Sequence, residues 1–253
     1  MKIKWAIESD VFDNDWLLKK ACENNGYESF FFSGNNEFDN HTIFYGSLFT
    51  AFKMKKTPCQ VWIDNFSCSS YYPLIERDAL LNNRYVLIPY GELLRMKDEI
   101  FGMFAAEQLF IRPNSGKKEF TGYVVSRHDW ESEVKSLVMF HDELIFISGV
   151  KDIEDEWRLV ITDKVVTGSQ YIKSKEMVDS GPVPENIVNF ANSILPEMIQ
   201  AAKYPAFTAD FTVNKYNDQP KLLELNSFSC AGLYGSDMDL VVKEVSKSLI
   251  EYL

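Results

Sequence analysis

The chain has 253 residues, 46% hydrophobic and 25% charged, an ordinary globular composition with enough length for one large domain or two to three lobes around real cores. A formal charge of −11 and a pI near 4.8 argue against a protein that coats nucleic acid, although local basic spots remain able to bind phosphate. No apolar run approaches the roughly 18–20 residues of a membrane span, and "MKIKWAIESD" is charged too early for a signal peptide.

Cys22, Cys59, Cys68 and Cys230 form no C-x-x-C pair and no zinc-type spacing with His41, His128 or His141. They are expected as small buried residues in a reducing, cytoplasmic setting.

In chain order, "IKWAIE" reads as a strand and "DNDWLLKKACENNGY" as a helix opened by Asp or Asn and stopped near Gly26. "ESFFFSG", "CQVWIDNF" and "RYVLIPY" read as further strands, with "YYPLIERDALLNN" as a helix between the last two. This alternation predicts a small α/β lobe with parallel pairing over residues 1–91. It carries no G-x-G-x-x-G after its first strand, and no G-x-x-x-x-G-K-[ST] occurs anywhere, so neither a dinucleotide fingerprint nor a P-loop is supported.

Beyond Gly91 the pattern becomes α+β. "ELLRMKDEIFGMFAAE" and "WESEVKSLVMF" read as helices, and "QLFIRPNSGKKEFTGYVVS" as strand, polar loop, strand. "ELIFISGV" is a strand, and "EWRLVITDKVVTGSQYIKS" a hairpin turning at Thr162–Asp163. "KSKEMVDSGPVPEN" reads as a long charged loop of the kind that covers a substrate, with Lys173 at its start. "PENIVNFANSILPEMIQAA" is helical, "AFTADFTVNKYNDQPKLLELNSF" a second hairpin with Asn217, Asp218 and Pro220 as turn formers, and "DMDLVVKEVSKSLIEYL" an amphipathic helix.

Three stretches carry chemistry. In "KLLELNSFSC" the period of two puts Glu224 and Asn226 on one strand face and Leu223 and Leu225 on the other. Folding the hairpin brings Asp210 opposite Glu224 or Leu225, and one of these registers gathers Asp210, Glu224 and Asn226. Their oxygens are hard donors that suit Mg²⁺ shared with nucleotide phosphates; the alternative is a hairpin with a polar outer face. In "FIRPNSGKKEFTG", Arg112 ends an apolar strand before a small-residue loop with Lys117 and Lys118, whose amides and cations could cradle phosphate. The alternative is a basic surface turn. In "EDEWRLVI", Glu156 and Arg158 share a face; the carboxylate could accept from ribose and the guanidinium could hold phosphate or a carboxylate. The alternative there is an ion pair worth little. Aromatic residues are scattered through the elements, so core packing is their expected role.

Taken in order, these stretches resemble the ATP-grasp superfamily of carboxylate–amine ligases, and most closely an ATP-grasp group of bacteria and their viruses in which Arg-Pro opens the phosphate loop and "EWR" follows the hinge. The resemblance covers roughly the last 160 residues, with residues 1–91 matching the Rossmann-like α/β lobe that precedes that fold. It implies an ATP-grasp domain over 92–253, with a lid lobe at 92–148, a metal-binding and catalytic lobe at 149–253, and Mg·ATP between the two. The family's metal triad falls on Asp210, Glu224 and Asn226, and its phosphate cation on Arg112, where many members have Lys. The ribose carboxylate falls on Glu156 and the adenine hinge on Ser148, Val150 and Lys151, with Arg112, Arg158 and Lys117 as catalytic cations. Lys118 and Glu224 are further nucleotide contacts, and the loop 114–121 is expected to close over phosphates. "NSFSCAG" takes the place of the N-T-x-P-G loop of the D-alanine–D-alanine ligases. Thr208 stands where those ligases have an Arg that holds the reacting carboxylate, and a second lysine has no clear counterpart, Lys97 being a candidate.

The implied activity is an ADP-forming ligase in the cytoplasm of a bacterial or phage-infected cell. It would join a small-molecule or peptide carboxylate to an amine through an acyl phosphate, with no nucleic-acid or membrane partner. The alternatives are a kinase-like ATP-grasp enzyme, distinguished by a phosphorylated product formed without acceptor, and a non-catalytic ATP-binding module, disfavoured by the intact metal triad.

Overall fold

The computed structural model describes residues 2–32, 37–116, 119–215 and 218–253. It forms two compact units, one of residues 1–64 with 153–253 and one of residues 65–152. The sequence segments for Lys117, Lys118 and Asn217 lie outside the described residues.

The chain begins with β1 (Lys4–Ile7), α1 (Asp15–Asn24), β2 (Glu28–Phe31), β3 (Thr42–Tyr45) and α2 (Leu48–Met54). The strands form a parallel sheet in the order β2-β1-β3. β1 is central, and Trp5, Ala6 and Ile7 are fully buried, as expected of a parallel strand covered on both faces. Ser47 caps α2 by accepting a hydrogen bond from the Thr50 amide. "CQVWIDNF" was expected as another strand. It makes one parallel bridge, Gln60 to Ile43, and then leaves the sheet. The reason is local: the Trp62 amide donates to Ser229 Oγ and the Asp64 amide to Ser227 Oγ, both at 2.9 Å, so those donors are diverted from a ladder.

The unit of residues 65–152 contains α3 (Cys68–Tyr71), β4 (Tyr85–Pro89), α4 (Tyr90–Leu93), α5 (Lys97–Phe104), β5 (Gln108–Pro113), β6 (Tyr123–Ser126), α6 (Trp130–Ser136) and β7 (Leu144–Gly149). Its sheet is antiparallel in the order β4-β7-β5-β6. Leu109, Ile111, Ile145 and Ile147 on one face pack with Ile100, Phe101, Trp130 and Val134 of α5 and α6. β4, read from sequence with the N-terminal strands, pairs with β7 in this sheet. The helix expected over "YYPLIERDALLNN" does not form: α3 ends at Tyr71, and only a 3-10 turn at Arg77–Ala79 follows. Tyr72 keeps helical backbone angles, but Pro73 lacks the amide that would carry the ladder onward.

The remainder of the first unit contains β8 (Glu156–Ile161), β9 (Val165–Lys173), β10 (Glu176–Gly181), α7 (Glu185–Ser193), α8 (Leu195–Ala201), β11 (Phe207–Asn214), β12 (Gln219–Ser227) and α9 (Met238–Tyr252). The antiparallel order is β10-β9-β8-β11-β12. β10 replaces the loop expected over "KSKEMVDSGPVPEN". Ser174 and Lys175 both have positive φ, 51° and 69°, which closes a two-residue hairpin between Lys173 and Glu176. α9 packs on α1, and Trp5 Nε1 donates to Ser246 Oγ at 3.0 Å. Phe228, just past β12, is fully buried against Trp5, Tyr45 and Trp62. Cys22, Cys59 and Cys68 are buried, and burial pushes the Cys22 and Cys59 thiols up to about 12, which fits small unreactive core residues. Among the described residues, no helix is long and apolar enough to cross a membrane.

Asp64 ties the N-terminal segment to the C-terminal part of the same unit. Its amide is held by Ser227, and its Oδ1 accepts from the Lys203 amide at 2.5 Å. Burial raises its carboxyl to about 6, against the opposing effect of the Lys203 and Tyr204 amides. A carboxyl raised on folding favours the folded state below its unfolded pKa, near 3.8, and that benefit is lost as pH rises through about 6. Asp64→Asn keeps the Oδ1 acceptor without the charge. Its stability relative to the parent should therefore grow by roughly 2–3 kcal/mol between pH 4 and pH 7. Denaturant unfolding of both proteins across that range checks this; a difference independent of pH contradicts it.

Candidate functional site

Antiparallel pairing sets Asp210 of β11 opposite Arg158 of β8 on one side and Glu224 of β12 on the other. Thr208 and Asn226 form a second pair on the same face, two residues along. This is the register that gathers Asp210, Glu224 and Asn226. A bulge follows directly: between the Asp210–Glu224 and Phe211–Leu222 pairs, Leu223 of β12 is the extra residue.

The Arg158 guanidinium is buried and fully engaged. Nε donates to Asp210 Oδ1 and Nη2 to Oδ2, both at 2.7 Å, and Nη1 donates to the Gly232 carbonyl at 3.1 Å. Its central carbon lies 5.1 Å from the Tyr234 ring and 5.4 Å from the Tyr171 ring, and these two rings stack at 4.5 Å. Burial opposes the charge on Arg158, but the Asp210 carboxylate more than offsets it, so the guanidinium pKa is raised. The sequence allowed Arg158 either a phosphate or substrate role or a weak ion pair. The structure shows a bidentate buried ion pair with Asp210, to which the weak-pair estimate for exposed charges does not apply.

Asn226 Nδ2 donates to Asp210 Oδ2 at 3.1 Å, which fixes the orientation of its carboxamide. Glu156, half-buried one turn of the pleat before Arg158, accepts from the Tyr171 hydroxyl at 2.5 Å. Burial raises its carboxyl; the Tyr171 hydrogen bond opposes this, and the charges of Asp210 and Glu224 add to the rise. Glu156, Asp210 and Glu224 therefore share one electrostatic environment around Arg158. Tyr171, Tyr234 and Gly232 are the residues sequence reasoning missed. Only the tertiary fold brings them to Arg158, and no spacing in the sequence marks them.

The donor set fits a hard divalent cation in kind, being two carboxylates and a carboxamide. Among the described residues no three His, Cys, Asp or Glu side chains converge to hold a metal by themselves. The set suits an ion that takes its other ligands from water or phosphate. Thr208, beside Asp210, is fully buried, and its hydroxyl has no hydrogen-bond partner among the described residues.

Arg112, Ser148, Val150 and Lys151 belong to the other unit. Arg112 is half-buried on the β5 face opposite the Leu109–Ile111 core, and Gly122 lies close beside it: a Cβ there would meet Phe110 at 2.7 Å and Arg112 at 3.1 Å. Ser148 is buried and donates to Asn82 Oδ1 at 3.1 Å, so its side chain is occupied within the unit. Val150 is exposed and Lys151 half-buried beyond the end of β7. The start of the loop expected from sequence to hold phosphate is anchored: the Ser69 amide donates to Asn114 Oδ1 at 2.8 Å and Ser115 donates to Glu119. The Lys97 ammonium lies 3.9 Å from Glu131.

Removing Arg158 leaves Asp210 as a buried, uncompensated charge. Arg158→Ala should cost about 3–5 kcal/mol of stability, and Arg158→Lys less, since it keeps charge but loses the two-pronged geometry. Chemical denaturation of the two variants measures this; an alanine variant as stable as the parent contradicts the structural role.

Comparison with known proteins agrees with this architecture. The family described as the ATP-grasp domain, R2K clade family 2, matches residues 98–244, more than half of the chain. No curated protein matches by sequence. Among solved structures, D-cycloserine synthetase DcsG is similar with a TM-score of 0.73 at 11% identity, covering 98% of this chain and 99% of that one. N5-carboxyaminoimidazole synthetase from Staphylococcus aureus gives 0.66 at 10% identity, covering 97% and 78%. D-alanyl-alanine synthetase A from Vibrio cholerae gives 0.58 at 9%, covering 99% and 97%. At such identities these likenesses speak to the fold, a mixed α/β architecture shared with ATP-grasp ligases. Together with the family match they establish that the chain belongs to the ATP-grasp superfamily, in family 2 of its R2K clade.

Proposed function

We propose that the protein is an ATP-dependent carboxylate–amine ligase that works through an acyl phosphate. The observation that carries this reading is the row of hard oxygen donors on one sheet face, Asp210, Glu224 and Asn226, held by a buried arginine in a chain of the ATP-grasp superfamily. In such a reaction a substrate carboxylate oxygen bonds to the γ-phosphorus of ATP as the bond to ADP breaks. An amine then attacks the acyl carbon, phosphate leaves, and the amine gives up a proton. No side chain need be a covalent nucleophile.

Within this proposal Glu224 and Asn226 would hold the magnesium, and Asp210 would contribute its carboxylate from within the Arg158 pair. Bound magnesium supplies charge neutralisation at the nucleotide phosphates. Arg158 is the positioning residue: it fixes the Asp210 carboxylate, and Asn226 is oriented in turn by Asp210. Glu156, oriented by Tyr171, is the proposed ribose acceptor. Arg112 is the proposed phosphate cation, together with Lys117 and Lys118 of its loop. Val150 and Lys151 are proposed for the adenine, with Ser148 contributing through its backbone because its hydroxyl is committed to Asn82. Thr208 carries no charge to hold a carboxylate, so the acid is recognised by other groups.

Glu224 is half-buried rather than core, which allows a clean test. Glu224→Gln should lower ATP turnover by more than about 100-fold, with little change in thermal stability. The assay is ADP and phosphate release over a panel of amino acids and small peptides, with products resolved by mass. Normal turnover in the variant overturns the metal assignment, and a phosphorylated product formed without any amine overturns the ligase reading.

A further inference from the structure

Tyr234 supports the carboxylate row from outside it. Its ring lies parallel to that of Tyr171, with centroids 4.5 Å apart and planes within 5°. The Tyr171 hydroxyl donates to Glu156 at 2.5 Å, and the Arg158 fork donates to both oxygens of Asp210 at 2.7 Å. The central carbon of Arg158 is 5.1 Å from the Tyr234 centroid and 5.4 Å from that of Tyr171. These near-equal distances set the guanidinium against the stacked pair and not against one ring. One aromatic ring thus backs two side chains, each of which fixes a carboxylate.

The ring is held there against local preference. Tyr234 has φ of 48°, in the left-handed region, where a bulky aromatic residue is an outlier and glycine or asparagine is at ease. Its loop is seated by long-range contacts. Asn14 donates to the Tyr234 carbonyl at 2.5 Å, and the preceding Leu233 is buried in the core that holds Trp5 and Phe228. A Cβ on the following Gly235 would collide with Ser180 and meet Ser169 Oγ at 2.9 Å, so glycine is what lets the loop lie on β9 and β10. Strained backbone that its surroundings keep in place clusters where a side chain has a task.

The position also faces the charges of the site. Tyr234 is half-buried; burial raises its hydroxyl pKa, Arg158 opposes the rise, and the carboxylates of Asp210, Glu156 and Glu224 add to it. Register alone does not bring Glu156 and Asp210 together, since β8 and β11 pair Glu156 with Thr212 and Asp210 with Arg158. The Tyr171–Tyr234 stack spans the two. A ring present only to fill space would have the opposite signature: asparagine at 234 would ease the backbone and leave both carboxylates in place.

We propose that Tyr234 is a second positioning residue, which couples recognition of the nucleotide ribose to binding of magnesium. Its ring holds Tyr171, and with it Glu156, in one arrangement with Arg158, and with it Asp210. The inference rests on the ligase reading for the roles of Glu156 and of the Asp210–Glu224–Asn226 row, and adds the element that links them.

The test is calorimetric binding of a non-hydrolysable ATP analogue and its 2′,3′-dideoxy form to the full chain, with and without Mg²⁺. Melting temperatures are measured alongside. Tyr234→Asn removes the ring and suits the left-handed backbone, Tyr234→Phe keeps the ring, and Tyr171→Phe loses the hydroxyl that holds Glu156. In the parent, Mg²⁺ and the ribose hydroxyls should each tighten binding by about tenfold. Tyr234→Asn should lose most of both gains while staying folded at the titration temperature, and Tyr234→Phe should retain both. Tyr171→Phe should lose the ribose gain alone. The proposal is overturned if Tyr234→Asn keeps either gain in full, if Tyr234→Phe loses them as asparagine does, or if Tyr234→Asn is unfolded, since the ring is then structural. A parent that shows neither gain contradicts the roles given to Glu156 and the metal row, and takes the proposal with it; a parent that shows both isolates any failure to Tyr234.

Discussion

The buried pair between Arg158 and Asp210 is the interaction on which the rest of the site depends. Two charges removed from water are tolerated only when their geometry is good and their remaining hydrogen-bonding groups are satisfied. Here both conditions hold. Adjacent strands place the two residues directly opposite each other, the fork of the guanidinium meets both carboxylate oxygens, and Gly232 takes the remaining nitrogen. Asn226 completes the Asp210 side. The pair thus converts a backbone register into a fixed position for the oxygen donors at the end of β12.

That position is secured from the N-terminal sheet. The segment after β12 is tied to it residue by residue: Ser227 and Ser229 accept the Asp64 and Trp62 amides, Ser229 donates to the Phe44 carbonyl, and Tyr45 donates to the Ala231 carbonyl. Phe228 fills the aromatic pocket between them. The small residues of "NSFSCAG" therefore have a structural reason. A hydroxyl at 227 and another at 229 replace the ladder partners that "CQVWIDNF" would otherwise have used, and the same bonds hold Asn226 and Gly232 on either side. The first 64 residues belong physically with the last hundred because they share this core.

How much of this was legible in sequence follows from the range of the interactions. Period-two patterning showed that Glu224 and Asn226, and likewise Glu156 and Arg158, share faces, because strand geometry alone decides that. Hairpin folding about Asp218 narrowed Asp210 to two registers. The partner of Arg158 was not readable: it lies 52 positions further along the chain, on β11, and only the packed sheet decides that contact. The same applies to Tyr171 and Tyr234. β10 was read as a loop because its exposed face is polar and its turn uses Ser174 and Lys175 at positive φ, where glycine or asparagine would have signalled a hairpin. "YYPLIERDALLNN" carries helical apolar spacing, but Pro73 ends the helix near its start. Family resemblance added the roles of these residues, which patterning alone does not supply.

In the proposed enzyme the Asp210–Glu224–Asn226 row, fixed by Arg158, holds magnesium together with nucleotide phosphates. The most direct measurement is calorimetric binding of a non-hydrolysable ATP analogue, with and without Mg²⁺, to the parent protein and to Glu224→Gln. Mg²⁺ should tighten binding to the parent by at least about tenfold, and this gain should disappear in the variant. Equal affinity with and without Mg²⁺ in the parent, or an undiminished Mg²⁺ effect in the variant, would contradict it.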